Sequence, residues 1–149
     1  MNTSMQPTQG MSGLEQLQAL IASGRMPGIG LSLDFTLVEI AVGRAVFEGI
    51  PGEHAYNPLG TVHGGYAAAL LDSACGCAVH ASLAPGQTYT TLELKISYHK
   101  AMTAATGLVR AEGTIVSLGR RAAFSQARLT DAGGRLLASA TSTLLVMSA

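Results

Sequence analysis

The stretch from Asn57 to Ser82, NPLGTVHGGYAAALLDSACGCAVHAS, constrains this chain more than any other. Asn57-Pro58 and Gly60 carry turn chemistry, and Pro58 biases Asn57 away from helix. Thr61 and Val62 read as the last extended residues before His63-Gly64-Gly65. From Tyr66 onward Ala, Leu and Cys dominate, until Pro85-Gly86 forces a stop. The spacing predicts a helix from Gly64 to Ser82, roughly 28 Å long. Apolar on nearly all sides, it belongs inside a fold and wrapped by other elements. Its one charged residue is Asp72. An ionised carboxylate in such surroundings is costly unless it is paired or functional.

A length of 149 residues allows one domain with a sizeable core. Residues 13–149 read as that domain and residues 1–12 as a flexible tail, polar and lacking the basic start and apolar core of a targeting segment. With 48% hydrophobic and 12% charged residues, polar surface is scarce, which favours an oligomer. Nine basic and nine acidic residues cancel, with no basic run, so no nucleic acid is expected as a partner, and no membrane. Asp72 also interrupts the longest apolar run, so a soluble cytoplasmic protein is expected. Cys75 and Cys77 sit two apart on the predicted helix, point to different sides and read as small buried thiols.

Leu14 to Ser23 carries apolar residues at helical spacing, with Ser12 and Glu15 as a capping box and Gly24 as the stop. Ser32 to Val38 and Glu39 to Ile50 read as two strands, or as one long bent one. After the central helix the text is that of antiparallel sheet. Thr91 to Tyr98 alternates strictly, and Thr106 to Val116 leads to a turn at Ser117-Leu118-Gly119. Arg121 to Leu129 follows, then the hairpin signal Asp131-Ala132-Gly133-Gly134, then a last strand from Leu136 to Met147. The fold class is α+β, one sheet curled around the apolar helix.

These residues carry a resemblance. Asn57-x-x-Gly60-x-x-His63-Gly64-Gly65 followed by Asp72 resembles the signature of hotdog-fold acyl-CoA thioesterases of the phenylacetate-degradation (PaaI-like) type. Thr91-x-Glu93, Ile96-x-Tyr98, Gly119-Arg120 and Asp131-x-x-Gly134 before Ala138 are similar as well. The resemblance spans roughly residues 28–147. It implies a hotdog fold, a six-stranded antiparallel sheet wrapped around a long central helix, in a homodimer or homotetramer with active sites shared between chains. It also implies hydrolysis of an acyl-CoA, with coenzyme A as part of the substrate and no separate cofactor.

Elementary chemistry agrees. Thioester hydrolysis needs donors for a developing oxyanion and a base or nucleophile at the carbonyl carbon. A helix N-terminus supplies unpaired N–H groups, and glycines leave them open to a substrate oxygen. The resemblance assigns the main oxyanion donor to Gly64 N–H, with Gly65 as a second. Asp72 lies eight residues on, displaced by roughly 12 Å along the helix, so it cannot serve the Gly64 of its own chain. Two antiparallel helices across a two-fold axis would bring it to the partner's donor, as nucleophile or as general base. The plainer reading is a structural acid bonded to Ser73 or backbone.

Asn57 carries over as the residue holding the attacking water or the thioester carbonyl, beside the plain reading of an Asx-turn. His63 orients the loop or reaches the thioester sulfur, beside a capping role. Thr91 matches a position where the family places a hydroxyl near the carboxylate, and lies on the polar face of its strand beside Glu93. Tyr66, with Leu70 and Leu71, is expected to line the acyl pocket. Arg120 and Arg121 are the candidates for the coenzyme A phosphates, with Lys95 and Lys100 behind them. No metal is expected, since histidines and cysteines lack ligand spacing. Two further readings stay open: a hotdog 3-hydroxyacyl dehydratase using His63 with Asp72, and a non-catalytic acyl-CoA-binding module.

Overall fold

The computed structural model describes residues 10–148. Helix α1 (Gly13–Ser23) starts where the sequence reads it. Ser12 Oγ accepts from Glu15 N and Ser12 N donates to the Glu15 carboxylate, while Gly24 ends the helix in the left-handed conformation. Of the expected tail, residues 1–9 lie outside the described residues.

The next element corrects the sequence reading. Gly28–Leu33 is a short helix, α2, closed by Asp34 at φ 58°. Ile29, Leu31, Leu33, Phe35 and Leu37 continue the every-second-residue pattern of the strand beyond, and two glycines weaken any helix signal. Strand β1 (Phe35–Ala41) then forms a hairpin with β2 (Arg44–Gly49). The break falls at Val42-Gly43, where Gly43 has φ 76°, and not at Val38-Glu39. A bulge occupies the position of Val38 instead.

Helix α3 (Gly64–His80) is the axis of the molecule, and a single six-stranded antiparallel sheet curls round it. The remaining strands are β3 (Gln87–Tyr98), β4 (Val109–Leu118), β5 (Ala122–Asp131) and β6 (Leu136–Ser148), in spatial order β1-β2-β4-β5-β6-β3. Tyr66, Ala67, Leu70, Leu71, Ala74, Cys75, Ala78 and Val79 are all buried. Leu129, Val109, Ala111 and Leu144 meet them from the sheet. Gly113 lets β4 cross the helix closely, because a Cβ there would run into the Ala74 carbonyl.

The outer face of the sheet is polar. Arg44 pairs with Glu39 and Glu112, and Arg110 with Glu39 and Glu48, so one ladder spans β1, β2 and β4. The side chain of Val46 shares that face, opposite Glu39 and Glu112, and is fully buried. At the other end of the sheet β3 is an edge strand. No helix among the described residues is long and apolar enough to cross a membrane.

Candidate active site

The entry to α3 is built by a knot of hydrogen bonds. Asn57 N donates to Thr61 O at 2.8 Å, and His63 N to Ala55 O at 2.7 Å. Val62 N donates to Met102 O, which ties the loop to the segment before β4. His63 is the N-cap of α3, and its Nδ1 accepts from Gly65 N at 2.8 Å. An accepting Nδ1 puts the ring proton of neutral His63 on Nε2.

That contact corrects one expectation. Gly65 N–H is already spent on His63, so it is not a second oxyanion donor in this arrangement. Gly65 is glycine because a Cβ would lie 2.8 Å from His63 Nδ1. Gly64 N–H, by contrast, has no acceptor among the described residues. Gly64 accepts at its carbonyl from Tyr98 Oη at 2.8 Å, and a Cβ there would lie 2.9 Å from the same hydroxyl. One open amide therefore remains at the positive end of a 17-residue helix.

Asn57 serves mainly the turn. Its Oδ1 accepts from Leu59 N at 2.9 Å and from Thr61 N at 3.3 Å, and its Nδ2 donates to Thr61 Oγ1 at 3.0 Å. One Nδ2 hydrogen is left over, the only part of the amide free to reach a substrate or water.

Asp72 is half-buried, two turns into α3, and accepts a hydrogen bond from Thr91 Oγ1 at 3.0 Å. The sequence put Thr91 on the same face of its strand as Glu93, and the resemblance put its hydroxyl near the carboxylate. The structure turns it inward, through a bulge between Thr91 and Glu93 that absorbs Leu92. Before the bulge Gln87, Tyr89 and Thr91 face the helix, after it Leu94 and Ile96 do, and Leu92 is left 61% exposed. The strict alternation of Thr91–Tyr98 is thus broken at its start.

Asp72, Thr91 and Tyr89 open onto a cavity of about 520 Å³. Leu20, Ile21, Ile29, Phe35, Leu37 and Phe47 supply its apolar walls, and Ser73, Gly76 and Cys77 its helical floor. Tyr66 was expected in the lining. It is 2% exposed, in the core on the other side of α3, as are Leu70 and Leu71. The pocket instead lies under α1 and α2; the sequence reading placed only Ser32 and Leu33 of α2, as the start of a strand. Cys77 borders the cavity, but burial, helped by the Asp72 charge, pushes its thiol up to about 12. It is therefore no thiolate nucleophile.

Arg120 and Arg121 are exposed in the β4–β5 turn, and neither lines this cavity. Lys95 lies on the outer face of the sheet, in a separate polar concavity with Arg128. Arg25, in the link between α1 and α2, is the basic residue that does border the cavity. Among the described residues no three His, Cys, Asp or Glu side chains gather into a metal site.

The family profile of the Thioesterase superfamily matches residues 59–138, more than half of the chain. The chain belongs to the thioesterase superfamily. A phenylacetic acid degradation-related protein from Ralstonia eutropha JMP134 is 26% identical, with a TM-score of 0.76 over 87% of this chain and 97% of that one. A Streptococcus mutans UA159 protein solved with acetyl CoA bound is 25% identical, with a TM-score of 0.70 over 76% and 89%. The PaaI protein of the E. coli phenylacetic acid degradation operon shares the fold at a TM-score of 0.78 over 89% and 93%, with 16% identity. A comparison with curated proteins gave no match. This thioesterase is thus a PaaI-like hotdog protein in fold and an enzyme of thioester hydrolysis.

Proposed function

We propose that this thioesterase hydrolyses acyl-CoA to a free acid and coenzyme A, with Asp72 as the group that acts at the carbonyl carbon. One observation carries the reading: the lone carboxylate of an otherwise apolar helix faces a cavity of acyl size and is held at one oxygen by Thr91. The Thr91 hydrogen bond fixes Oδ1 and leaves Oδ2 without a partner among the described residues. As general base, Asp72 takes a proton from water as its oxygen adds to the thioester carbon. The oxyanion forms against an open amide, the C–S bond breaks, and the proton passes to the departing thiolate.

The amide is Gly64 N–H of a second copy. Within one chain Asp72 and Gly64 are eight residues apart on a straight helix, roughly 12 Å along its axis. The unpaired edge of β3, twelve residues long, is a natural seam for that second copy. In this reading the smallest active species is a dimer. His63 spends Nδ1 on the helix N-terminus, which leaves only Nε2 for the His-plus-acid pairing a dehydratase would need and favours the thioesterase reading.

The test is a hydrolysis screen over acyl-CoA thioesters, read as thiol release, on wild type and Asp72→Asn. Turnover should fall about 100-fold or more in the variant, with circular dichroism and oligomer mass unchanged. Wild-type turnover by Asp72→Asn would remove Asp72 from the mechanism. Enoyl product without thiol release would replace the reading with a dehydratase.

A further inference from the structure

We propose that Tyr89 is a specificity-determining residue of this site, its hydroxyl receiving an oxygen that the acyl group carries about one helical turn beyond the scissile carbonyl. The inference rests on the thioesterase reading and concerns the acyl group alone.

Tyr89 stands on the inner face of β3, two residues before Thr91, and borders the same cavity as Asp72. Its ring is clamped. It lies against His80 at a centroid distance of 5.6 Å, and His80 is in turn held by Gln16 of α1 at 3.0 Å. The hydroxyl sits over Gly76, where a Cβ would come within 2.9 Å of it. Gly76 thus leaves room for the phenol to cross the helix and reach the cavity floor.

The hydroxyl so placed has no partner among the described residues. The other tyrosine hydroxyls divide clearly. Tyr56 and Tyr98 bond to backbone at 2.8 Å each, and Tyr66 is unpartnered but sealed in the core. Tyr89 alone combines an unspent hydroxyl with access to the cavity. Burial also pushes the pKa of the phenol up, so it stays neutral and can both donate and accept. A phenylalanine would fill the wall as well, and a hydroxyl in a mostly apolar site costs free energy unless a ligand meets it.

Position then defines the ligand. Asp72 marks the carbonyl, and Gly76, four residues on, marks the hydroxyl, roughly 6 Å further along the helix. An acyl group with a hydroxyl or keto oxygen roughly four to six bonds past its carbonyl spans that interval.

The experiment uses matched pairs of CoA thioesters, each with and without such an oxygen, on the full-length enzyme. In wild type the oxygenated member of at least one pair should show kcat/KM about tenfold higher or more. Tyr89→Phe should bring that ratio close to one, because it deletes only the hydroxyl. Gly76→Ala, which displaces the phenol, should reduce the ratio as well. The same ratio read as Kd on Asp72→Asn decides the matter without turnover. Equal values within every pair, or a preference that survives in Tyr89→Phe, would overturn the role of Tyr89. Absence of thiol release from both members of every pair would instead overturn the thioesterase reading.

Discussion

Thr91 Oγ1 donates to Asp72 Oδ1 across 3.0 Å, joining an edge strand to the central helix at the one charged position that helix contains. A hydrogen bond to an ionised carboxylate is stronger than a neutral one and fixes the side chain's rotamer. Thr91→Val removes the donor while keeping the shape. We expect kcat to fall about tenfold or more in Thr91→Val, with KM little changed, and Thr91→Ser to restore most of it. Steady-state kinetics of the two variants checks this; a Thr91→Val enzyme with wild-type kcat would show the contact to be structural only.

If the site is shared, inactive variants must complement. Asp72→Asn removes the carboxylate and Gly64→Pro removes the open N–H, at a helix position where proline is tolerated. Gly64→Ala controls for the contact with Tyr98, because it keeps the amide. Random exchange at equal ratio gives half mixed dimers, each with one site free of both defects. Roughly a quarter of wild-type activity should return. No recovery after exchange is verified by mass would mean that each site is built from one chain.

Stability should hinge on Gly113. A methyl group there meets the Ala74 carbonyl, and neither a β4 strand nor a packed helix can yield cheaply. Gly113→Ala should destabilise the fold by about 2 kcal/mol or more, measured by denaturant unfolding. A neutral result would mean that α3 can shift away from β4 without loss.

The ionic ladder sets an acid limb. Hydrogen bonds from Arg110, then Arg44, hold the Glu39 carboxyl below its ordinary 4.5. A carboxyl with a depressed folded value stabilises the protein above the unfolded value, and that stabilisation is lost as pH falls through the folded one. The melting temperature of wild type should therefore drop as pH falls below about 4.5, and the gap to Glu39→Gln should narrow over that range. Since these side chains are 36–43% exposed, salt should shrink the gap at neutral pH. A gap insensitive to both pH and salt would contradict the electrostatic account.

Much of the fold was legible because its signals are local. The capping box at Ser12, the hairpin at Asp131 and the apolar run from Tyr66 each depend on residues close in sequence. The places where reading failed are those where tertiary structure decides. Leu31, Leu33 and Phe35 alternate like a strand, yet Asp34 in the left-handed region divides them between a helix and a strand. Tyr66, Leu70 and Leu71 were expected to line the pocket, but helical rotation turns them into the core. Asp72 could be singled out by charge alone. Tyr89 could not, because its face depends on a bulge three residues downstream.

That bulge divides β3 into two lengths of opposite parity. From Gln87 to Thr91 the odd-numbered positions face the cavity end of α3, whereas from Leu94 on the even-numbered ones close over its core. The two tasks of the strand are thereby uncoupled. The residue at 89 can be exchanged to suit a new acyl group while Thr91 keeps Asp72 in place and Leu94 and Ile96 keep the helix covered. Loss of a single residue at Leu92 would instead force one parity on the whole strand. Either Thr91 would swing away from Asp72, or Leu94 and Ile96 would turn to solvent, so this is a position where substitution is mild and deletion is not.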